Sequence, residues 1–256
     1  MKITTWNVNS LRAREELVLD WLEANEPDAL CMQETKVTDQ EFPEDGFGDL
    51  DYEVVFHGQS NYNGVAIAAR GEEPEDVRRG FDDDTEDSDR RVITARVGDV
   101  NVVNIYLPNG QSVDSDKYAF KLAWMKSLRA FLDAHFDPAS PVVLCGDFNI
   151  APSELDHHWP ASEQRRLFTT PEERAAYANL LDFGFVDAFR ALYPDARAYT
   201  WWDYRGRTFQ RDEGMRIDHL LITAPVRARL VDVVVDRAAR AADGPSDHVP
   251  VTLHLD

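Results

Sequence analysis

The chain has little cysteine, little lysine, no long apolar run and no excess of positive charge, and each shortage excludes a class of protein. Two cysteines, Cys31 and Cys145, in 256 residues cannot form the disulfide framework of a small secreted domain, and neither stands at zinc-ligand spacing. Both lie inside apolar strand-like runs, where a thiol packs as a small hydrophobe. No apolar run approaches the ~20 residues that span a bilayer. The start, Met1-Lys2-Ile3-Thr4-Thr5-Trp6, lacks a basic segment leading into an apolar block. A soluble, cytoplasmic protein with no membrane partner is expected.

The formal charge is −20, which excludes a passive coat for nucleic acid, because such proteins carry a basic footprint that displaces counterions. An enzyme acting on phosphate is not excluded. A divalent cation held by carboxylates can neutralise the contacted phosphate locally while the rest of the surface stays acidic. Only 5 of the 27 basic residues are lysine, and that bias toward arginine among so many carboxylates would suit a salt-rich cytoplasm.

What is present begins with Val142-Val143-Leu144-Cys145-Gly146-Asp147-Phe148-Asn149. Its apolar run reads as a buried strand that breaks at Gly146, where groups able to handle metal, water or phosphate appear. Reacting groups in α/β proteins cluster just past the carboxyl ends of strands, where the sheet fixes the backbone and the loop frees the side chain. The other polar strand ends should therefore converge on Asp147. Residues 2–8, 28–33 and 100–107 read as strands ending in Asn7 and Asn9, in Gln33 and Glu34, and in Tyr106 and Asn109. Residues 52–57 and 64–70 form an expected hairpin, and 92–97 pairs with 100–107 around Gly98 and Asp99.

Apolar residues at helical spacing predict helices over residues 11–22 and 114–135. Thr170-Pro171-Glu172-Glu173 reads as a helix start: threonine cap, proline in the first turn, acids at the positive end of the dipole. Further strands are expected at 199–202, 217–223, 230–235 and 249–255. The acidic run over 82–89 lacks the glycine and the terminal glutamate of a calcium loop and reads as a solvated loop. A hydrophobic share of 43% fills a sizeable core, and no repeat or low-complexity linker divides the chain. One domain over residues 1–256 is expected, with two packed mixed sheets flanked by helices.

Glu34 suits a hard cation such as magnesium, which takes oxygen ligands and is usually held by one or two carboxylates. Asp147 could accept a proton from water attacking phosphorus, with Asn149 fixing the water's direction. Ser246-Asp247-His248 is not a hydrolase triad, because adjacent residues cannot stack into nucleophile, base and orienter. In the turn made by Pro245, however, Asp247 and His248 could both face the site, with Asp218 setting the protonation of His248. Each residue alone has a structural alternative: surface acid, turn cap or satisfied core histidine. Tyr199-Thr200-Trp201-Trp202-Asp203-Tyr204-Arg205, with Arg207 and Arg211, offers aromatics and cations for stacking on bases and holding phosphate, and a plain hydrophobic cluster fits it nearly as well. His157 and His158 lack a partner at ligand spacing and are expected on the surface.

Trp6-Asn7-Val8-Asn9-Ser10-Leu11-Arg12-Ala13, Leu30-Cys31-Met32-Gln33-Glu34-Thr35-Lys36, Tyr106-Leu107-Pro108-Asn109-Gly110, Gly146-Asp147-Phe148-Asn149, Arg216-Ile217-Asp218-His219 and Ser246-Asp247-His248 together resemble the exonuclease III family of apurinic/apyrimidinic endonucleases. The resemblance runs from Lys2 to the end. It implies a four-layer α/β sandwich and a monomer that cuts duplex DNA on the 5′ side of an abasic site, using magnesium with manganese as a substitute. It also implies 3′-to-5′ exonuclease and 3′-phosphatase activity on blocked 3′ ends. By matching motif, Glu34 is the principal metal ligand, with Asn7 and Asp247 near the metal. Asp147 activates or orients water, assisted by Asn149. Tyr106, Asn109 and His248 contact the phosphate, and Asp218 is paired to His248. Arg205, Arg207 and Arg211 meet DNA, while Trp201, Met215 and Ile217 line the pocket for a flipped-out abasic sugar. Glu213 and Gly244 stand where the family usually carries a basic residue, so positive charge is missing near the expected DNA path. The rival readings are a phosphatase or phosphodiesterase for a small molecule or lipid, and a non-enzymatic binding protein.

Overall fold

A computed structural model describes residues 1–160 and 166–256. Among them the apolar runs become twelve strands: β1 (Lys2–Asn7), β2 (Ala29–Gln33), β3 (Tyr52–His57), β4 (Val65–Arg70), β5 (Glu75–Arg79), β6 (Val92–Val97), β7 (Val100–Tyr106), β8 (Val142–Asp147), β9 (Val186–Asp187), β10 (Asp218–Ile222), β11 (Leu230–Val235) and β12 (Val251–Leu255). They form two six-stranded sheets, ordered β11-β12-β1-β2-β4-β3 and β5-β6-β7-β8-β10-β9. Each sheet has one parallel pair at its centre, β1 with β2 and β7 with β8. The neighbours pair antiparallel, so both sheets are mixed. The helices are α1 (Leu11–Asn25), α2 (Glu44–Gly48), α3 (Asp116–His135), α4 (Pro171–Leu181), α5 (Ala188–Leu192), α6 (Thr208–Arg211) and α7 (Ala224–Arg227).

Strands β2 and β8 carry apolar runs because both of their faces are covered, while β1 and β7 bury Thr4, Thr5 and Asn104 among their apolar residues. Cys31 of β2 and Cys145 of β8 point into the core between the sheets, together with Ile3, Ile67, Val102 and Leu220. Their chain neighbours face outward. Leu30 and Met32 pack on Val18 and Leu22 of α1, while Leu144 packs on Leu128 of α3 and Leu180 of α4. The result is the expected sequence of helix, sheet, sheet and helix layers. A buried polar clamp crosses between the sheets: Gln33 Nε2 donates to Asn104 Oδ1 at 2.7 Å, and Asn104 Nδ2 donates to the carbonyls of Met32 and Ala66, both at 2.9 Å. Sliding one sheet over the other would strand these buried groups, so the clamp fixes the relative position of β2 and β7.

Residues 199–202 do not form the expected strand. Trp201 makes only isolated bridges, to Met215 and His248. The aromatic run arises from packing rather than pleating: Tyr199 and Trp202 sit in a small core with Val249. Strands β5 and β9 were not expected. Both lie at sheet edges, where a charged or very short segment pairs without an apolar pattern to announce it. The acidic residues 82–89 form turns and loop, both cysteines are free and buried, and Thr170 caps α4 in a capping box with Glu173. No helix among the described residues is long and apolar enough to cross a membrane.

The strand expected to break at Gly146 continues through it to Asp147; Gly146 has φ at +142°, and a Cβ added there would lie 1.9 Å from the Ile105 carbonyl oxygen of β7. Gly146→Ala is therefore expected to cost about 3 kcal/mol or more, read from urea unfolding. At Gly98, also at positive φ but with no atom within 4 Å of a new Cβ, the same change should cost only about 1 kcal/mol. Equal costs at the two positions would show that the approach of β7 to β8 is not the constraint.

Candidate active site

Two parallel strand pairs, one in each sheet, end on the same side of the molecule. Asn7 stands opposite Gln33, Tyr106 opposite Asp147, and Asp218 opposite Asp147 from the antiparallel side. Just past these ends Asn9, Ser10, Glu34, Lys36 and Asn149 all adopt positive φ, a conformation that costs a non-glycine residue energy and gathers where surrounding contacts impose it.

Asn7 joins the two sheets at the site. Its Nδ2 donates to Glu34 Oε1 at 2.9 Å and to Asp147 Oδ2 at 3.0 Å. Asn149 Nδ2 donates to Asp147 Oδ2 at 3.3 Å and to the Leu107 carbonyl at 2.9 Å, while its Oδ1 accepts from Asn109 Nδ2 at 3.3 Å. His248 Nδ1 lies 2.9 Å from Asp218 Oδ2, and its Nε2 lies 3.7 Å from Asp147 Oδ2. Asn7, Glu34, Tyr106, Asn109, Asp147, Asn149, Asp218 and His248 thus meet in one connected cluster. Glu34, Tyr106 and Asn109 also line an open groove of about 750 Å³ with Arg91, Lys117 and Phe120.

The charges in this cluster are set by burial and by one another. Burial would raise Glu34, but the Lys36 ammonium at 2.8 Å and the Asn7 amide hold it below the ordinary glutamate range, so it stays ionised. Burial raises Asp147, and the neighbouring carboxylates of Asp218 and Glu34 add to it against the pull of His248, leaving Asp147 at about 7. Burial pushes His248 down, yet Asp218 and Asp147 overcome it and hold the ring up at about 10. Burial, Glu34 and Asp147 all raise Tyr106, which keeps its proton as a donor.

Ligand atoms of Asp147, Asp218 and His248 lie within 4.8 Å of one another, a spacing that could hold a metal ion. His248 faces Asp218 through Nδ1 and Asp147 through Nε2, so both of its ring nitrogens stand against carboxylates. Glu34 is ionised and reaches the groove, with Asn7 beside it. The Glu34 carboxylate, with the negative charge that Asp147 and Asp218 add beside it, fits a hard divalent cation.

Asp247 is engaged elsewhere: its oxygens accept from Asn9 Nδ2 at 2.9 Å and from Trp201 Nε1 at 3.0 Å. It reaches Glu34 indirectly, since Lys36 Nζ contacts both Asn9 Oδ1 and Glu34. Trp201, Met215 and Ile217 do come together, in an apolar cluster with Ala151, Trp159 and Phe168, and Trp201 borders His248. Arg205, Arg207 and Arg211 are exposed on a separate arm. There Tyr204 is exposed, but Trp202 is fully buried and is not a stacking surface. His157, expected on the surface, is buried and contacts Glu154 and Arg174, because its backbone bridges to Met215.

Sequence reasoning gave no role to Ser246 or Lys36. Ser246 Oγ donates to the Asn7 carbonyl at 2.7 Å and accepts from the His248 amide at 3.2 Å, which fastens the last turn to β1. Lys36 stands two residues from Glu34, too close for periodicity to separate its function from that of a turn residue.

A family model described as "Endonuclease/Exonuclease/phosphatase family" matches residues 4–248. The chain belongs to that family. Its relatives place this member in the exodeoxyribonuclease III branch, among hydrolytic nucleases. It is 38% identical to exodeoxyribonuclease III of Haemophilus influenzae over 98% of each chain. The AP endonuclease from Archaeoglobus fulgidus superposes with a TM-score of 0.96 and 43% identity, covering 100% of this chain and 99% of that one. A 3′ phosphatase from Neisseria, solved bound to product DNA hairpin, superposes with a TM-score of 0.95 and 42% identity over 100% and 99%. The two sheets and their flanking helices are the fold of these neighbours.

Asp147 can accept a proton only when ionised, and its pKa of about 7 lies above the usual carboxylate range. At subsaturating divalent cation, kcat/KM for this family member should fall about tenfold per pH unit below that point. It should hold steady above it until His248 loses its proton near 10. Raising the cation concentration should move the acid limb to lower pH, because a bound cation favours the carboxylate. A pH profile with no acid limb at low cation would remove Asp147 from the role of base.

Proposed function

We propose that the chain is one catalytic domain, a monomeric cytoplasmic DNA-repair nuclease that hydrolyses the phosphodiester 5′ to abasic sites in duplex DNA, with 3′-to-5′ exonuclease and 3′-phosphatase activity on blocked 3′ ends. The observation that carries this reading is the meeting of the acid and amide cluster with an open groove lined by Glu34, Tyr106 and Asn109. Trp201 of the buried apolar cluster with Met215 and Ile217 borders His248, and a flipped-out abasic sugar would meet that apolar surface, flipping being cheapest where no base stacks.

Magnesium, held by Glu34 with Asn7 at hand, would neutralise the phosphate charge that otherwise repels a nucleophile, and manganese can replace it. Asp147 takes the proton of the attacking water while Asn149 directs it. Protonated His248, fixed by Asp218, and the neutral Tyr106 hydroxyl donate to the phosphate oxygens, as does Asn109, and these preorganised donors stabilise the charge that builds there. Asp247 acts one step back, orienting Asn9 and Trp201. Arg205, Arg207 and Arg211 engage the flanking DNA backbone.

Incubating the protein with a duplex carrying one abasic site, with and without magnesium, tests the reading. A magnesium-dependent nick 5′ to the lesion is expected. Its absence, with phosphate release from a small ester instead, would support the rival within the fold. Asp147→Ala should lower kcat by on the order of 10³-fold or more with unfolding temperature nearly unchanged, because the carboxylate lies in a strained polar cluster rather than the apolar core.

Glu213 pairs with Arg211 on the exposed arm, so a DNA phosphate must compete with a carboxylate already in place. Glu213→Arg should tighten nonspecific duplex binding at low salt and steepen the log–log salt dependence by about 1 to 2. An unchanged slope in fluorescence anisotropy would take this arm off the DNA path.

A further inference from the structure

We propose that Lys121 is a positioning residue of the active site: from within the core it fixes the two loops that carry Asn109 and Asn149. This rests on the nuclease reading above. Lys121 projects from α3, and both it and its ion-pair partner Glu173 have 0% side-chain exposure. Its ammonium has three protons, and the structure uses all of them: on Glu173 Oε1, on the Asn149 carbonyl at 2.7 Å and on the Asn109 carbonyl at 3.4 Å. Those two residues grip each other through their side chains, and Asn149 in turn holds Asp147. One buried cation thus sets the spacing between the loop that follows β7 and the loop that follows β8.

Glu173 ties the same point to the other helix of that layer. Its second carboxylate oxygen accepts from the Thr170 amide at 3.0 Å and from the Thr170 hydroxyl at 2.9 Å, which closes the cap of α4. The Phe168 ring lies 5.0 Å from the Lys121 nitrogen and shields it. If the only need were to hold α3 on α4, two apolar side chains would serve at least as well, because a buried ion pair seldom repays its desolvation. Two apolar side chains would leave the carbonyls of Asn109 and Asn149 without their donor. The costly pair is therefore explained by the loops it anchors. Lys121 touches no substrate; it acts through Asn109 and Asn149.

The test compares Glu173→Gln with the double variant Lys121→Met/Glu173→Gln. Glutamine keeps an oxygen for the Thr170 cap, and the double change removes both buried charges at once. Glu173→Gln should retain most of kcat on abasic duplex. The double variant should lose about 10- to 100-fold in kcat, the scale of a misplacement of about 1 Å. Its KM, and the magnesium concentration giving half-maximal rate, should stay within about threefold, because Glu34 and the DNA surface are untouched. Wild-type kcat in a folded double variant, or loss only in proportion to the unfolded fraction by circular dichroism, would overturn the assignment. If the double variant does not fold, Lys121→Met/Glu173→Met replaces it with the same expectation, and failure of both to fold would place the pair in the fold rather than the site. A wild-type protein that leaves abasic DNA intact would instead refute the nuclease reading itself.

Discussion

Like charges confined in a space with little water are the constraint on which the rest of the structure depends. Glu34, Asp147 and Asp218 bring three carboxylates to one pocket, against two cations, Lys36 and the protonated ring of His248. The imbalance raises Asp147, because ionising it beside Asp218 and Glu34 in a desolvated site is costly. Tyr106, Asn7 and Asn149 aim donors at these carboxylates and relieve part of the strain. A divalent cation would reverse the excess and leave the pocket suited to an anionic phosphodiester. The same charges that raise Asp147 fit the pocket to a cation.

Holding such a pocket together requires a scaffold that does not relax. Packed sheets supply it, because the parallel pairs at their centres direct four strand ends to one side. The Gln33–Asn104 clamp stops one sheet from sliding over the other. At Gly146 the chain approaches Ile105 so closely that no side chain fits. The positive φ values of Glu34 and Asn149 follow from this: the side chains must turn back toward the pocket one and two residues past the end of a rigid strand.

Much of this was legible in the sequence, and the rest was hidden for identifiable reasons. Strands β2 and β8 announced themselves by apolar runs, β1 and β7 by their β-branched and aromatic residues, and the polar residues at their ends stood out against that background. Asn7, Glu34, Tyr106, Asp147 and Asp218 were therefore visible as a set in the sequence. Lys121 was not, because a lysine at helical spacing reads as surface until its partner Glu173, far along the chain, is known to lie beside it. Gln33 and Ser246 were visible only as parts of motifs, since a contact between distant segments leaves no mark on local periodicity. The strand expected at 199–202 failed because aromatic residues favour pleated sheet and small packed clusters alike, and here Tyr199 and Trp202 took the second course. Edge strand β5 was missed for the opposite reason: its charged residues face water and carry no apolar signal.

The acidity of the chain bears on how it can meet DNA at all. On the exposed arm Arg211 is engaged by Glu213 and Arg237 by Asp212, while the Arg237 guanidinium also lies over Trp202 and Phe209, at 5.1 and 4.9 Å. An arginine already paired with a carboxylate must give up that partner to neutralise a phosphate, so Arg211 and Arg237 add less to the release of counterions from DNA than free cations would. What remains in the proposed reading is short-ranged: a divalent cation that Glu34 would hold, the protonated His248, and amide donors, with the buried apolar cluster of Trp201 at their edge. On the proposed reading, such a protein would gain little from undamaged duplex and most from the position where the strand can enter the pocket. Selectivity would then come from a weakly attracting surface around the site as much as from the contacts within it.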